Sequence, residues 1–415
     1  MIGTIFFAIA IVHTFAVKRF QVLAQKFPEG SVLENLFHLL GEVEVVFGFW
    51  AGLWFCYSFF FKGSSQAIHY LESLNFREPL FVFVIMTVAA TRPIIQLAKK
   101  IIFQIAKLLP LPQKTAKYLV TLIVGPLLGS FITEPAAMTL TALILRDEFY
   151  QEKVSDKFKY FTLGILFVNV SIGGVLTHYA APPVLMVAGK WGWNTPFMMR
   201  HFGYKAIIAV VLNASLGTII FRELLKNIKT KIEDKKGVPI WLIVVHLLFI
   251  TGVVVLAHHP VMFLALFLFF LGVADISKEF QDTIQLKAGL LVGFFLAGLV
   301  VFGEMQTWWL QPLLTSLSAF PLFLGSTALT GIIDNAALTY LGSQVSGLGE
   351  SIKYSLVAGA VTGGGLTIIA NAPNPAGFSI LKEFFGKQGI SPFMLLVAAL
   401  IPTLIAGLCF WTLSM

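Results

Sequence analysis

Apolar residues run along this chain in long, nearly continuous blocks separated by short polar stretches, with no sustained two-residue alternation. Such blocks predict membrane-crossing helices, because about 20 apolar residues span the hydrocarbon layer, whereas the strands of a membrane barrel alternate within segments of about ten. The clear blocks cover 1–17, 37–61, 79–97, 159–189, 204–221, 239–257, 260–275, 287–303, 353–381 and 392–413. Two more, 118–145 and 312–343, are interrupted by polar residues near the middle and read as re-entrant hairpins, entering and leaving on one side. Counting them as full crossings would place the basic stretch 222–236 outside. As hairpins they put 22 of the 29 basic residues inside and six outside, which satisfies the positive-inside rule. Both termini then lie outside.

Composition agrees. The chain is 57% hydrophobic and only 12% charged, about half the charge of a soluble domain. That excludes a soluble enzyme, a disordered chain and a secreted disulfide scaffold. The net charge of +8 is the topology signal of basic loops and not a sign of a nucleic-acid partner. Cys56 and Cys409 both sit in apolar runs and build neither a disulfide framework nor a metal site. The opening stretch has its charges, Lys18 and Arg19, after the apolar run, so it reads as an uncleaved first span.

The chain repeats itself. ITEPAAMT (132–139) matches IIDNAALT (332–339), GGVLTHYAAPP (173–183) matches GGGLTIIANAP (363–373), and TPFM (195–198) matches SPFM (391–394), in the same order. Each half has an odd number of crossings, five, so the halves are expected to be inverted. The predicted fold is an all-α polytopic membrane protein of two inverted repeats, each with about five spans and one hairpin, with helices broken at the midplane. Its divisions are scaffold spans 1–110; hairpin, broken helix and last span 111–221; a cytoplasmic linker 222–238; scaffold spans 239–311; and hairpin, broken helix and last span 312–415. Inverted repeats with broken helices are the architecture of secondary transporters, whose sites lie where the breaks meet.

Both hairpin tips carry an acid, Glu134 and Asp334. An ionised carboxylate costs at least ~2.5–3.5 kcal/mol at the membrane centre and marks ion or proton paths. Asp334 is a good cap for the helix that follows it, and Pro135 lets Glu134 cap the first returning arm. Thr133 and Asn335 stand beside them. The broken spans add Thr177 in the first half and Thr367, Asn371 and Asn374 in the second, whose oxygens are hard ligands for a small cation. His178 is a possible proton relay. His38 and Glu42, four apart, are placed to pair on a helix, and Arg92 is expected to snorkel to the inner face. An intramembrane hydrolase is disfavoured, since there is no HExxH motif and an enzyme gains nothing from the repeat.

At these segments the sequence resembles the ion transporter superfamily of sodium/proton antiporters, arsenite pumps and dicarboxylate carriers. TALTGIIDNAALT (327–339) and GGGLTIIANAPN (363–374) are similar to the acidic hairpin tip and the glycine-rich broken span of NhaD-type antiporters. GEVEVVFGFWAG (41–52) resembles a bacterial sodium/proton antiporter family. The resemblance implies exchange of sodium, or another small monovalent cation, for protons by an elevator-type movement, with the two acids binding one or the other. It implies no cofactor, a homodimer, and a bacterial inner membrane as the location. A sodium-coupled organic-anion carrier and a metalloid exporter are the alternatives within that superfamily. The dicarboxylate branch bears Ser-Asn-Thr at its tips, unlike Thr-Glu-Pro and Ile-Asp-Asn here.

Overall fold

The computed structural model describes residues 1–152, 154–228, 237–386 and 389–413. Lys153, Lys387 and most of the linker's basic cluster (Lys229, Lys231, Lys235 and Lys236) lie outside the described residues. Among those described there is helix and no strand, in the chain order α1 Ile2–Ala24, α2 Val32–Leu40, α3 Val46–Phe61, α4 Ser64–Ser73, α5 Arg77–Ala89, α6 Arg92–Leu108, α7 Gln113–Ile132, α8 Glu134–Leu145, α9 Asp156–Gly173, α10 Pro182–Trp191 and α11 Thr195–Met198. There follow α12 Tyr204–Ile220, α13 Arg222–Asn227, α14 Ile240–Val255, α15 Pro260–Ile276, α16 Leu286–Gly303, α17 Thr307–Ser316, α18 Ala319–Thr330, α19 Asn335–Ser343, α20 Glu350–Gly363, α21 Asn374–Leu381 and α22 Pro392–Thr412. Seven of the described helical segments are long and apolar enough to cross a membrane, an eighth if the bent pair α5–α6 counts as one, and α14, α15 and α18 are shorter apolar helices. The protein is an all-α polytopic membrane protein.

Several boundaries differ from the sequence reading for local reasons. The expected plain span 79–97 breaks after Ala89 and bends by 66° into α6. Pro93 removes a donor from the first turn of α6, and Thr91 closes the end of α5 through Oγ1 to the Val88 carbonyl at 2.9 Å. Arg92 lies 3.9 Å from Asp282. The stretch 312–343, expected to be one element, is divided: residues up to Ser316 continue the preceding helical segment, and helix resumes as α18 and then α19. His38 pairs with Glu34 at 3.4 Å and not with Glu42, since α2 ends at Leu40 and Glu42 is off that helix; Glu42 instead meets Lys287 at 2.9 Å.

The chain forms two compact units. The first comprises residues 1–83, 286–316 and 340–348. Its helices α3 and α16 approach closely at Gly298, where an added Cβ would strike the Phe47 carbonyl carbon, and at Gly48, which sits under the Phe294 ring. Phe7, Phe47, Phe295 and Phe302 meet through the interior in tilted and edge-to-face pairs. His13 accepts from Trp50 Nε1 at Nδ1 (3.0 Å), so its Nε2 carries the proton it donates to the Leu40 carbonyl (2.9 Å).

The second unit, 84–285, 317–339 and 349–415, holds both tips and both broken helices. Helices α7 and α8 form a hairpin. Gly125 faces Thr141 and Gly129 faces Ala137, so positions on one arm fall as those on the other rise, with the fold at Thr133. The base of the hairpin is closed by Glu148, whose Oε2 accepts from Lys114 (2.9 Å) and Lys117 (3.0 Å). Burial raises the Glu148 carboxyl, but the two ammonium hydrogen bonds outweigh it and hold the group below the usual carboxylate range. The closure is therefore intact at neutral pH and is lost only when acid titrates that carboxylate.

Hydrogen bonds and close approaches also fix helix directions in this unit. Tyr118 bonds Thr162, Asn169 bonds the Leu122 carbonyl, and Gly173 abuts Pro126, so α7 and α9 run parallel. Gly359 meets Phe323 and Ser326, and Gly363 meets Thr327 and Thr330, so α18 and α20 also run parallel. Between α9 and α20 the order reverses: Ser171 donates to the Val361 carbonyl at 2.7 Å, while Gly365 lies on Val168. These two helices are antiparallel.

Candidate functional site

The first tip is held under backbone strain. Thr133 has φ 73° and ψ 151° and is the single non-glycine residue with positive φ among those described. That region is essentially restricted to glycine, and a β-branched residue there costs on the order of 1–3 kcal/mol. Thr133 does not cap α8, and its Oγ1 is buried with no hydrogen-bond partner.

Glu134 does not cap α8 either, which corrects the expectation from sequence. It is the first residue of the helix, with Pro135 behind it, and its fully buried side chain reaches the second broken helix. Asn371 Nδ2 donates to Glu134 Oε2 at 3.0 Å. The other oxygen, Oε1, has no partner. It lies beside Gly174, where a Cβ would sit 2.5 Å from it. Only a glycine at 174 leaves room for the carboxylate. Gly174→Ala is therefore expected to displace Glu134 and to lower exchange at least about tenfold, with all charges in place; transport assays alongside thermal denaturation check this.

Asp334 plays the capping role read from sequence. Its Oδ1 accepts from Ala336 N (2.8 Å) and Ala337 N (3.2 Å), the free donors of the first turn of α19. The second tip is also tied by its backbone, since Asn335 N donates to the Ala370 carbonyl at 3.0 Å, next to Asn371. The Asn335 side chain is fully buried with neither polar atom bonded, and its Nδ2 lies against Gly364. Asn374 Nδ2 spans the second break, donating to the Gly364 and Thr367 carbonyls at 2.8 Å each, and leaves Oδ1 unpaired.

The two threonines of the broken helices act alike. Thr177 Oγ1 donates to the Ser130 carbonyl at 2.6 Å, and Thr367 Oγ1 donates to the Gly331 carbonyl at 2.9 Å. Each ties its break to the end of the hairpin arm in its own half. His178 bonds Thr195 Oγ1 at 2.9 Å and is half-buried. Its hydrogen-bond partner is thus on α11 and not among the tip residues.

Ser130 escaped the sequence reading. Its Oγ donates to the Gly173 carbonyl (2.7 Å) and accepts from Leu176 N (2.9 Å), so one side chain satisfies the loosened turn before the first break. A signal was present, since Ser130 and Thr330 are both hydroxyl residues two before the aligned isoleucines. Asn169 holds α9 to its neighbours, donating to the Leu122 and Val210 carbonyls while accepting from Asn213.

The unpaired oxygens are informative together. Glu134 Oε1, Thr133 Oγ1, Asn335 Oδ1, Asn371 Oδ1 and Asn374 Oδ1 are all buried without partners. They sit on residues linked by the contacts above. Each such atom costs about 1–3 kcal/mol unless something fills its place. Oxygen ligands of this kind suit a small hard cation. Among the described residues no group of three or more His, Cys, Asp or Glu is placed to hold a metal ion.

No curated protein matches this chain. A family model described as "Putative Na+/H+ antiporter" matches residues 1–413. Antiporters of this kind are transporters and not enzymes, and they move ions without a cofactor. The match runs through the hairpin tips and broken helices, and the chain belongs to that antiporter family.

Proposed function

We propose that this protein exchanges sodium, or another small monovalent cation, for protons at Glu134, with Asp334 supplying a second charge nearby. The observation that carries the reading is Glu134 itself: a fully buried carboxylate with one oxygen on an amide and the other unpaired. Such a group needs a proton or a cation, since an isolated ionised carboxylate is strongly disfavoured away from water. Asn371 can serve either state, because its Nδ2 holds Oε2 while its Oδ1 stays open to a cation. Thr133, Asn335 and Asn374 contribute the remaining candidate oxygens, and Thr177 and Thr367 position the tips. His178 is left with a peripheral relay role through Thr195. Occupancy by either a proton or a cation, never both fully, couples the two gradients.

The finer architecture belongs to the same reading. Two inverted repeats, 1–221 and 239–415, joined by a cytoplasmic linker at 222–238, would place both termini outside. Parallel α7 and α9, parallel α18 and α20, and antiparallel α9 and α20 support that inversion. The proposed movement is an elevator in which the hairpins and broken helices carry the ion. A homodimer in a bacterial inner membrane and a place beside NhaD-type antiporters are part of the proposal. The test is purified protein in vesicles with an imposed pH gradient. Sodium added without organic solute should collapse the gradient. A collapse that needs a dicarboxylate or arsenite would favour the alternative carriers and overturn this reading.

A further inference from the structure

Helix α6 has three distinct faces. Ile94, Ala98, Ile102 and Ala106, spaced by four, are buried. The helix packs on the hairpin arm α7, where Lys117 Nζ lies 4.4 Å from the Phe103 ring centre, and on α14, with Leu97 against the cluster of Val238, Leu242 and Ile243. At 100° per residue, Leu97, Ile101, Ile105 and Leu108 form a second face beside the buried stripe. Two of these are conspicuously open, Ile101 at 37% and Leu108 at 82% exposure. The third face carries Lys99, Lys100, Gln104 and Lys107. The helix contains no acidic residue. Lys114 and Lys117 nearby are committed to Glu148, whereas Lys99, Lys100 and Lys107 make no ion pair among the described residues.

The 66° bend after α5 sets α6 well off the direction of the preceding helix. A helix with one exposed apolar face and one basic face, turned away from a crossing direction, matches the chemistry of a helix lying in the membrane surface. We propose that α6 lies in the membrane interface and binds an anionic phospholipid, with Lys100 and Lys107 on the headgroup phosphate and Lys99 beside them. Ile101 and Leu108 meet the acyl chains. An acidic protein segment would satisfy the lysines but leave the apolar face in water, so the lipid is the better occupant. Because α6 packs directly on α7, the lipid sits one helix away from the hairpin that carries Glu134. The binding does not depend on which ion is exchanged.

The test uses full-length protein in neutral detergent, offered phosphatidylglycerol and phosphatidylcholine with identical chains, and retained lipid is counted by native mass spectrometry. Each basic side chain near an anionic surface strengthens binding about fivefold, so phosphatidylglycerol should be retained at least about tenfold over phosphatidylcholine. Raising the salt should erode the preference. The triple variant K99Q/K100Q/K107Q should lose it while melting at the wild-type temperature, which shows that the altered helix still folds, and K99R/K100R/K107R should keep it. Equal retention of the two lipids would overturn the proposal. So would a preference that survives the glutamine variant, or displacement of phosphatidylglycerol by an acidic peptide. None of these readouts involves transport, so the result stands apart from the antiport assay.

Discussion

Glu134→Gln should abolish sodium-driven proton movement while the protein remains folded. Gln keeps the shape of the side chain and an oxygen to accept from Asn371 Nδ2, which now reaches Glu134 Oε2 at 3.0 Å. It removes the charge. Losing one partner of a buried charge interaction costs about 2–5 kcal/mol, which is roughly 30- to several-thousand-fold in cation affinity. Reconstituted variant should show no exchange above empty vesicles across the accessible sodium range, and its melting temperature should stay at or above that of the wild type. Exchange at the wild-type rate would mean that Glu134 is structural and that the unpaired oxygens around it hold something other than the transported ion.

The second large effect is at Asp334, where two substitutions separate two roles. Asp334→Asn keeps the cap, since an amide oxygen accepts from Ala336 N and Ala337 N as the carboxylate Oδ1 does, and Asn caps helices about as well as Asp. It removes the charge at the second tip. Exchange should be lost with little change in stability. Asp334→Ala removes charge and cap together and should cost about 1 kcal/mol more of stability. If Asp334→Asn exchanges normally and only Asp334→Ala fails, the residue is a cap alone and Glu134 is the sole exchanging group.

Short-range chemistry was legible in the sequence, and long-range pairing was not. The aligned motifs mark both tips and both breaks, because glycines, prolines and acids in an apolar run have few tolerable explanations. Asp334 followed by Asn335 signalled a helix start, and the side chain caps as that pattern requires. Glu134 followed by Pro135 gave the same signal, yet the side chain turns away. The reason lies in Thr133, whose left-handed backbone re-aims the residue after it, and in Asn371, which is 237 positions distant. No local pattern encodes either. The oxygens of Thr177 and Thr367 mark them in the sequence as candidate ligands. Their hydroxyls donate to tip carbonyls, because a broken helix must find donors for the carbonyls that loosened turns expose, and this pairing across the break is not written in the local sequence. The bend in 79–97 was readable from Thr91-Arg92-Pro93 but was masked by the apolar residues around it.

The central claim is that protons and the transported cation occupy one carboxylate site in turn. The most direct measurement is the apparent sodium affinity of the wild-type protein as a function of pH, by equilibrium binding in detergent with no gradient present. One proton competing for one site predicts a straight limb in which the apparent Kd rises about tenfold for each unit of acidification, with a plateau at high pH where the carboxylate is free. Glu134→Gln should show no saturable sodium binding at any pH. A sodium Kd that stays constant across the titration, or pH-dependent binding that survives Glu134→Gln, would contradict a shared site.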